Sequence, residues 1–323
     1  KIPNPYSAYD IETGKWFYHE DVIKKVRGEF ESSPPRKVIV IHGFIGSGKT
    51  STLLRIADEP GMLGANYIPI YIDTGDALAL TASAAFLFFY NTIKDSLGLW
   101  GYQIDKPNYS FSPGISLEEL KVFLDIVGKK LAGHTVLLII DDFERIQQST
   151  DTKTLEVFQE LFKFLIDDTG FRLILAGKGD IFKPARASDM NDLLKGAFQI
   201  ELGMFLERKK IEKMIVEPVK KHVKYDPEAI KEIVRLTGRN LYCQQLLCHY
   251  LVEYLNEKRL PLCFGAEVQQ AVYKAIIDKR EDFEYFWNHL SYERKIVMAA
   301  LADDNLMKKR GRYYFFDESP LLD

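Results

Sequence analysis

The sequence predicts an α/β fold: a parallel sheet flanked by helices, followed by an all-helical part. Three observations carry that prediction. Short apolar, β-branched runs alternate with longer amphipathic segments up to about residue 200, as in strand–helix–strand units whose sheet is covered on both faces. One run passes directly into a glycine-rich loop, in "VIVIHGFIGSGKTSTLLRIA" (Val38 to Ala57). From about Phe205 no strand candidate of note remains and helical patterns take over.

Val38 to His42 is short, continuous and apolar or β-branched, which suits a fully buried parallel strand. Gly43, Gly46 and Gly48 form the loop, and Ser51 to Ala57 reads as helix. "NYIPIYIDT" (Asn66 to Thr74) is a second strand. Ala77 to Leu97 is helical; its apolar stretch Ala77 to Ile93 contains Thr and Ser and is short for a membrane span of about 20 residues, so it reads as a core helix. Pro107 to Ser116 is a loop, Ser116 to Leu131 a helix, Val136 to Ile140 a buried strand, Lys153 to Asp168 a helix and Phe171 to Asp180 a last strand. In the helical part, "YDPEAIKEIVRLTG" has Asp226 as N-cap, Pro227 at the first helical position and Gly238 as stop. Leu241 to Asn256 is a long helix with the stripe Leu246, Leu247, Tyr250, Leu251 and Tyr254.

At 323 residues the chain has room for two or three domains and ample core. Its net charge of −3 excludes coating of nucleic acid or acidic membrane by bulk charge. Cys243, Cys248 and Cys263 lack metal-ligand spacing and indicate buried thiols in a reducing, cytoplasmic compartment. No signal peptide is seen, and a start at Lys1 without methionine reads as a fragment or a missing start.

The loop carries the chemistry. Gly43-x-x-x-x-Gly48-Lys49-Thr50 between strand and helix turns successive N–H groups inward, and the helix N-terminus adds partial positive charge. Gly43, Phe44, Ile45, Gly46, Ser47, Gly48, Lys49, Thr50 and Ser51 would cradle a phosphate chain. Lys49, expected to be exposed to the phosphates and not to the core, reaches the β- and γ-phosphates, and the Thr50 hydroxyl ligates Mg²⁺. The bland alternative is a glycine turn with a solvated lysine. Such a loop needs a metal-binding carboxylate at the end of a neighbouring strand, and "HTVLLIIDDFERI" supplies Asp141 and Asp142. Asp141 holds Mg²⁺ through water and Asp142 polarises the attacking water, unless the pair is only an acidic turn capping the next helix. Glu144 is a rival base or a surface residue. Lys178 is a γ-phosphate sensor or an exposed turn lysine.

In that order, "GFIGSGKTS", "LLIIDDFERI", "LILAGKGD" and "LTGRNLYCQQLLCHYL" resemble the AAA+-related STAND ATPases, close to the initiator (origin-recognition-like) architecture. The resemblance implies a P-loop AAA+-like nucleotide-binding domain over 1–204, a helical lid over 205–278 and an incomplete winged-helix-like domain over 279–323, with ATP or ADP and Mg²⁺ as ligands. It further implies that Asn4-Pro5-Tyr6 and "WFYHEDV" (Trp16 to Val22) frame the adenine, with Tyr18-His19 where the family has a Gly-Arg pair. Arg239 is the counterpart of a lid sensor, or a solvated arginine, and Leu241 stands where proline is common. Arg186 and Arg172 are candidates for an arginine given to a neighbouring copy.

The family's acid pair is Asp-Glu; here it is Asp141-Asp142. Aspartate is shorter by one methylene, about 1.5 Å, and a misplacement near 1 Å costs on the order of 10²-fold in rate. The expectation is therefore a slowly hydrolysing ATP switch, the core of a signalling or defence protein, with protein partners or self-association. A DNA-associated ATPase of initiator or transposition-regulator type and a non-hydrolysing scaffold are the alternatives. The tail begins like a winged helix: Ser291 caps a helix from Tyr292 to Leu301, and "LMKKRGRYYFF" resembles a wing, but Ala302 to Asn305 leaves no room for the helices between, so residues are expected to be missing near Asp304. Lys308, Lys309, Arg310 and Arg312 suit either DNA backbone or a solvated hairpin, the latter favoured because Asp303, Asp304, Asp317 and Glu318 balance them. No membrane partner is expected.

Overall fold

A computed structural model describes residues 1–6, 19–75, 81–104, 114–147, 152–167, 170–178, 194, 196–203, 207–288, 290, 292 and 295–299. The side chains of 152–154 are outside that description.

Five parallel strands make the sheet: β1 (Val38–Gly43), β2 (Tyr67–Asp73), β3 (Thr135–Asp141), β4 (Phe171–Gly177) and β5 (Phe198–Leu202), in the order β2-β3-β4-β1-β5. Every adjacent pair is parallel. The strand period of two sorts side chains to two cores. Val38, Val40, Ile68, Ile70, Ile72, Leu138 and Ile140 face one side, where α3 (Ala82–Leu99), α4 (Leu117–Lys130) and α5 (Thr152–Asp167) bring Phe86, Phe89, Phe123, Phe158 and Phe162. Ile39, Ile41, Leu137, Ile139 and Ile174 face the other, against α1 (Glu20–Glu31) and α2 (Lys49–Asp58). α4 starts as its sequence directs, with a capping box: the Ser116 hydroxyl accepts from the Glu119 amide at 3.2 Å, and the Glu119 carboxylate accepts from the Ser116 amide at 2.7 Å.

Two elements were not foreseen. β5 is a five-residue edge strand with Gln199 and Glu201 on its polar face, so it lacks the continuous apolar run of a central strand. α1 buries only Val22, Ile23, Val26 and Phe30 among charged residues. The helix expected from Ala77 starts at Ala82, capped by Thr81, and 76–80 fall outside the description.

The helical part packs Arg208–Val216, Pro227–Thr237, Leu241–Lys258 and Gly265–Asp278 around Ile211, Ile215, Ile233, Leu247, Leu251 and Val268. The Asp226 carboxylate accepts from the Glu228 amide at 2.9 Å, and Gly238 ends that helix at φ 56°, where a side chain would be strained. A two-residue parallel pair, Lys224–Tyr225 with Leu262–Cys263, is the single strand pairing among its described residues. Cys248 and Cys263 are buried and Cys243 half-buried; burial pushes Cys243 up to about 11 and Cys263 up to about 12, so they pack as small hydrophobes. The N-terminal segment is tied to this same body: the Ile2 amide donates to Asn256 Oδ1 at 2.6 Å and Asn256 Nδ2 returns a bond to the Ile2 carbonyl at 2.8 Å. Residues 280–288 and 295–299 are helical; the basic cluster at 308–312 lies outside the described residues. No described helix is long and apolar enough to cross a membrane.

Candidate functional site

All five strands point their carboxyl ends the same way, and the glycine loop leaves that edge from β1. Gly46 (φ 78°) and Gly48 (φ 87°) take left-handed angles that fold the loop back over the start of α2, whose first turn has no side-chain cap. Among the described residues no side chain caps that turn, which leaves it open to an anion as helix starts are. The Ser47 hydroxyl is buried and has no hydrogen-bond partner among the described residues, a polar group turned into the cradle.

Lys49 is not exposed as the sequence suggested. It is 9% exposed, and its ammonium donates to the Gly43 carbonyl at 3.0 Å and the Phe44 carbonyl at 2.8 Å. The first turn of α2 rests on the sheet, so its lysine spans the loop from inside. Burial pushes its pKa down, against the pull of Asp141, Glu144 and Asp142.

The sequence placed Asp141 on a strand next to β1. Instead β4 lies between β1 and β3, and this puts Lys178, just past β4, between the loop and the carboxylates. Asp141 is 3% exposed. Its Oδ2 accepts from the Tyr71 hydroxyl at 3.0 Å, its Oδ1 from the Asp142 amide at 2.9 Å, and the Thr50 side chain bonds to it as well. Burial raises its pKa and these hydrogen bonds oppose the rise. Thr50 and Asp141 are thus paired oxygen donors beside the phosphate cradle, a fit for Mg²⁺, which takes one or two carboxylates plus substrate phosphates. Among the described residues no group of three His, Cys, Asp or Glu forms a separate metal cage.

Asp142 turns away from this cluster. It has φ 52° and is 36% exposed at its side chain, and its Oδ2 meets Arg145 Nε at 3.1 Å. Glu144 turns inward. The Phe143 amide donates to the Ala176 carbonyl at 2.8 Å, which draws the turn after β3 onto the end of β4. Glu144 is left 4% exposed, 3.9 Å from Lys178 Nζ through Oε1, with Oε2 lacking a partner among the described residues. Burial raises its pKa. In the sequence Glu144 reads equally as a base or a surface residue, and its one signal is its place three residues after Asp141 in a short acidic run.

The helical part closes over the loop. Asn240 caps the helix Leu241–Lys258 by accepting from the Cys243 amide at 3.0 Å, and the Tyr242 amide donates to the Gly46 carbonyl at 3.3 Å. A Cβ on Gly46 would lie 2.6 Å from Tyr242 Cβ, and one on Gly48 2.9 Å from Leu241 Cδ2. From the other side, His19 Nε2 is 2.9 Å from the Ser47 carbonyl. Desolvation lowers the His19 pKa, so the ring is neutral and donates there.

Gly43, Phe44, Ile45, Gly46, Ser47, Gly48, Lys49, Thr50 and Ser51 therefore stand in one loop and helix turn with Asp141, and Lys178 sits beside them through Glu144. Arg239 is at the C-terminal turn before Asn240, with φ 62°. Tyr6 is elsewhere: it is 2% exposed in the helical core, and its hydroxyl donates to the Ile215 carbonyl at 2.5 Å. Arg172 opens β4, at the opposite end of the sheet from the loop. Trp16, Tyr18 and Arg186 lie outside the described residues.

A glycine loop that caps a parallel strand, with a buried lysine and a facing Thr–Asp pair, defines a P-loop NTPase. Residues 5–278 match the novel STAND NTPase 1 family, and the chain belongs to that family. Its fold is shared with solved ORC1 and Cdc6 structures. The ORC1 protein of Aeropyrum pernix, solved in complex with DNA, superposes with a TM-score of 0.59 at 13% identity over 90% of this chain and 74% of that one. A Walker-type ATPase of Pyrococcus abyssi gives 0.59 at 18% identity over 83% and 76%, and Cdc6p of Pyrobaculum aerophilum 0.56 at 14% over 83% and 70%. A search of curated proteins finds no match.

Proposed function

We propose that the protein is an ATP-binding, slowly hydrolysing molecular switch in the cytoplasm, the core of a signalling or defence protein that meets protein partners or further copies of itself. Its parts are a nucleotide-binding domain over 1–204, a lid over 205–278 and a winged-helix-like domain over 279–323. Gly43 to Ser51 bind the phosphates, Lys49 neutralises them, and Thr50 with Asp141 holds Mg²⁺. The ion, when bound, neutralises charge between the β- and γ-phosphates. Lys178 stands where it can meet the γ-phosphate, and Arg239 where it can meet the nucleotide from the lid.

The observation that carries this reading is the lid contact: Tyr242 and Leu241 rest directly on Gly46 and Gly48. A nucleotide on the loop must alter that contact, so its affinity differs between lid positions, and that difference shifts their populations. A shift from 1:99 to 99:1 needs about 5.5 kcal/mol of differential binding, within reach of several charge-assisted phosphate bonds. Opening the lid to release product would also limit turnover. Steady-state ATPase measurement tests this. We expect less than about one turnover per second, and tens per second, an ordinary enzyme rate, would sink the switch.

A second reading, a DNA-associated ATPase, is favoured by one observation: the fold neighbour from Aeropyrum pernix was solved bound to DNA. Salt-dependent DNA binding by the purified chain would support it; none at low salt would remove it.

A further inference from the structure

We infer that Glu144, in place of Asp142, accepts the proton of the water that attacks the γ-phosphate. This rests on the ATPase reading above. The carboxylate directly after Asp141 is the one the sequence offers for that task, yet it is spent elsewhere: Asp142 has a left-handed backbone, a half-exposed side chain and an ion pair with Arg145 at 3.1 Å. Arg145 is itself anchored to the Gly75 carbonyl at 3.0 Å, on the far side of β3 from the loop. Glu144 has the opposite character. It is buried at the carboxyl edge of the sheet, between the ends of β3 and β4, with Lys178 3.9 Å away on the side toward the loop. One carboxylate oxygen is occupied on the Lys178 side and the other, Oε2, has no partner among the described residues.

A buried carboxylate oxygen without a hydrogen bond costs stability, and such a cost is tolerated where the group has work to do. The electrostatics agree with the geometry: the Lys49 ammonium is drawn by Asp141 most, then by Glu144, and by Asp142 least. Glu144 thus acts on the phosphate lysine at least as strongly as the residue adjacent to Asp141 does. In the step itself, the water oxygen bonds to the γ-phosphorus, the bond from that phosphorus to the β,γ-bridging oxygen breaks, and ADP leaves with that oxygen's electron pair. The water proton passes to Glu144 Oε2 and then to phosphate or solvent. Lys178, beside both, holds charge on the transferring group.

The test is single-turnover hydrolysis of Mg-ATP by the parent, Glu144→Gln and Asp142→Asn, with the bound nucleotide extracted and identified. Glu144→Gln should bind Mg-ATP with parental affinity, retain it as ATP, and lose about 10²–10⁴-fold in rate, the range of a lost general base. Asp142→Asn should yield ADP within about threefold of the parental rate, since its ion pair lies off the site. Glu144→Asp keeps the charge and withdraws it by about 1.5 Å; it should lose at least about tenfold, so the result does not depend on Gln being tolerated. Parental rates in both Glu144 variants, or ATP retained by Asp142→Asn, overturn the inference while leaving the ATPase reading intact. No ADP from the parent overturns that reading, and the inference with it.

Discussion

Lys49 does two jobs that the sequence presented as one. Its ammonium would face the phosphates of a bound nucleotide, and it also closes the loop by donating to the carbonyls of Gly43 and Phe44. Lys49→Ala is therefore expected to abolish Mg-ATP binding in calorimetry and also to lower stability by about 1–2 kcal/mol, because two carbonyl acceptors lose a charged donor. Binding at parental affinity would remove the P-loop assignment; unchanged thermal stability would show that the carbonyl contacts are idle. Glu144 gives the opposite sign. Its folded pKa is raised above the ordinary 4.5 by burial, so its contribution to stability is present below pH 4.5 and is lost as pH rises through the folded value. At pH 7.5 the charge is a burden, and Glu144→Gln should be more stable than the parent, by about 1 kcal/mol or about 2–4 °C in Tm. That advantage should shrink as the pH falls toward the ordinary 4.5, because a raised folded value means the parental carboxyl takes up its proton before that point is reached. A Tm that falls at pH 7.5 would mean that the carboxylate is held by bonds stronger than its desolvation.

Elements that bury a continuous apolar surface were legible in the sequence, and those that bury a narrow stripe were not. β1, β3 and β4 are covered on both faces, so their residues had to be apolar throughout, and their ends fell within about two residues of expectation for β1 and β3. α1 and β5 cover the sheet's margin with a few side chains each, and charge dominates their composition. The loop and Asp141 were legible because phosphate and metal chemistry fix residue type and spacing. Glu144 was not, because what singles it out is the turn that hangs from the Ala176 carbonyl, a contact made across the sheet. Nor was the direct seat of the helix Leu241–Lys258 on the loop, which depends on the absent side chains of Gly46 and Gly48. At this scale the prediction concerns Tyr242, whose ring packs edge-on to Phe286 at 5.1 Å and whose hydroxyl donates to Asp282 at 2.8 Å. Tyr242→Ala keeps the amide and Cβ that meet Gly46 and removes the ring and hydroxyl that brace the helix start against Asp282 and Phe286. Release of a fluorescent ADP analogue should accelerate at least about fivefold, a loss of about 1 kcal/mol of contact. An unchanged off-rate would mean that the helix start is not what retains nucleotide.

For the molecule as a whole, the helical part, the proposed lid, is tied to the chain's own beginning as well as to the loop. Ile2 and Asn4 bond to Asn256 and His249 on the helix Leu241–Lys258, and Tyr6 fills the lid core. From the sheet side, His19 leads into α1 beside Ser47. If the helical part moves as the proposed lid, Ile2, Asn4 and Tyr6 move with it relative to His19, and the surface beside the site changes. Linkage makes the consequence reciprocal: if nucleotide alters the lid, anything that binds one lid position alters nucleotide affinity by the same factor. A second copy of the chain is the binder that the proposed self-association names. With ADP the protein should scatter light as a monomer. With a non-hydrolysable ATP analogue it should shift toward dimer or larger species, and the shift should carry a rise in apparent analogue affinity with protein concentration. Identical mass under both conditions at full occupancy would leave a monomeric switch, whose lid reports to partner domains and not to its own copies.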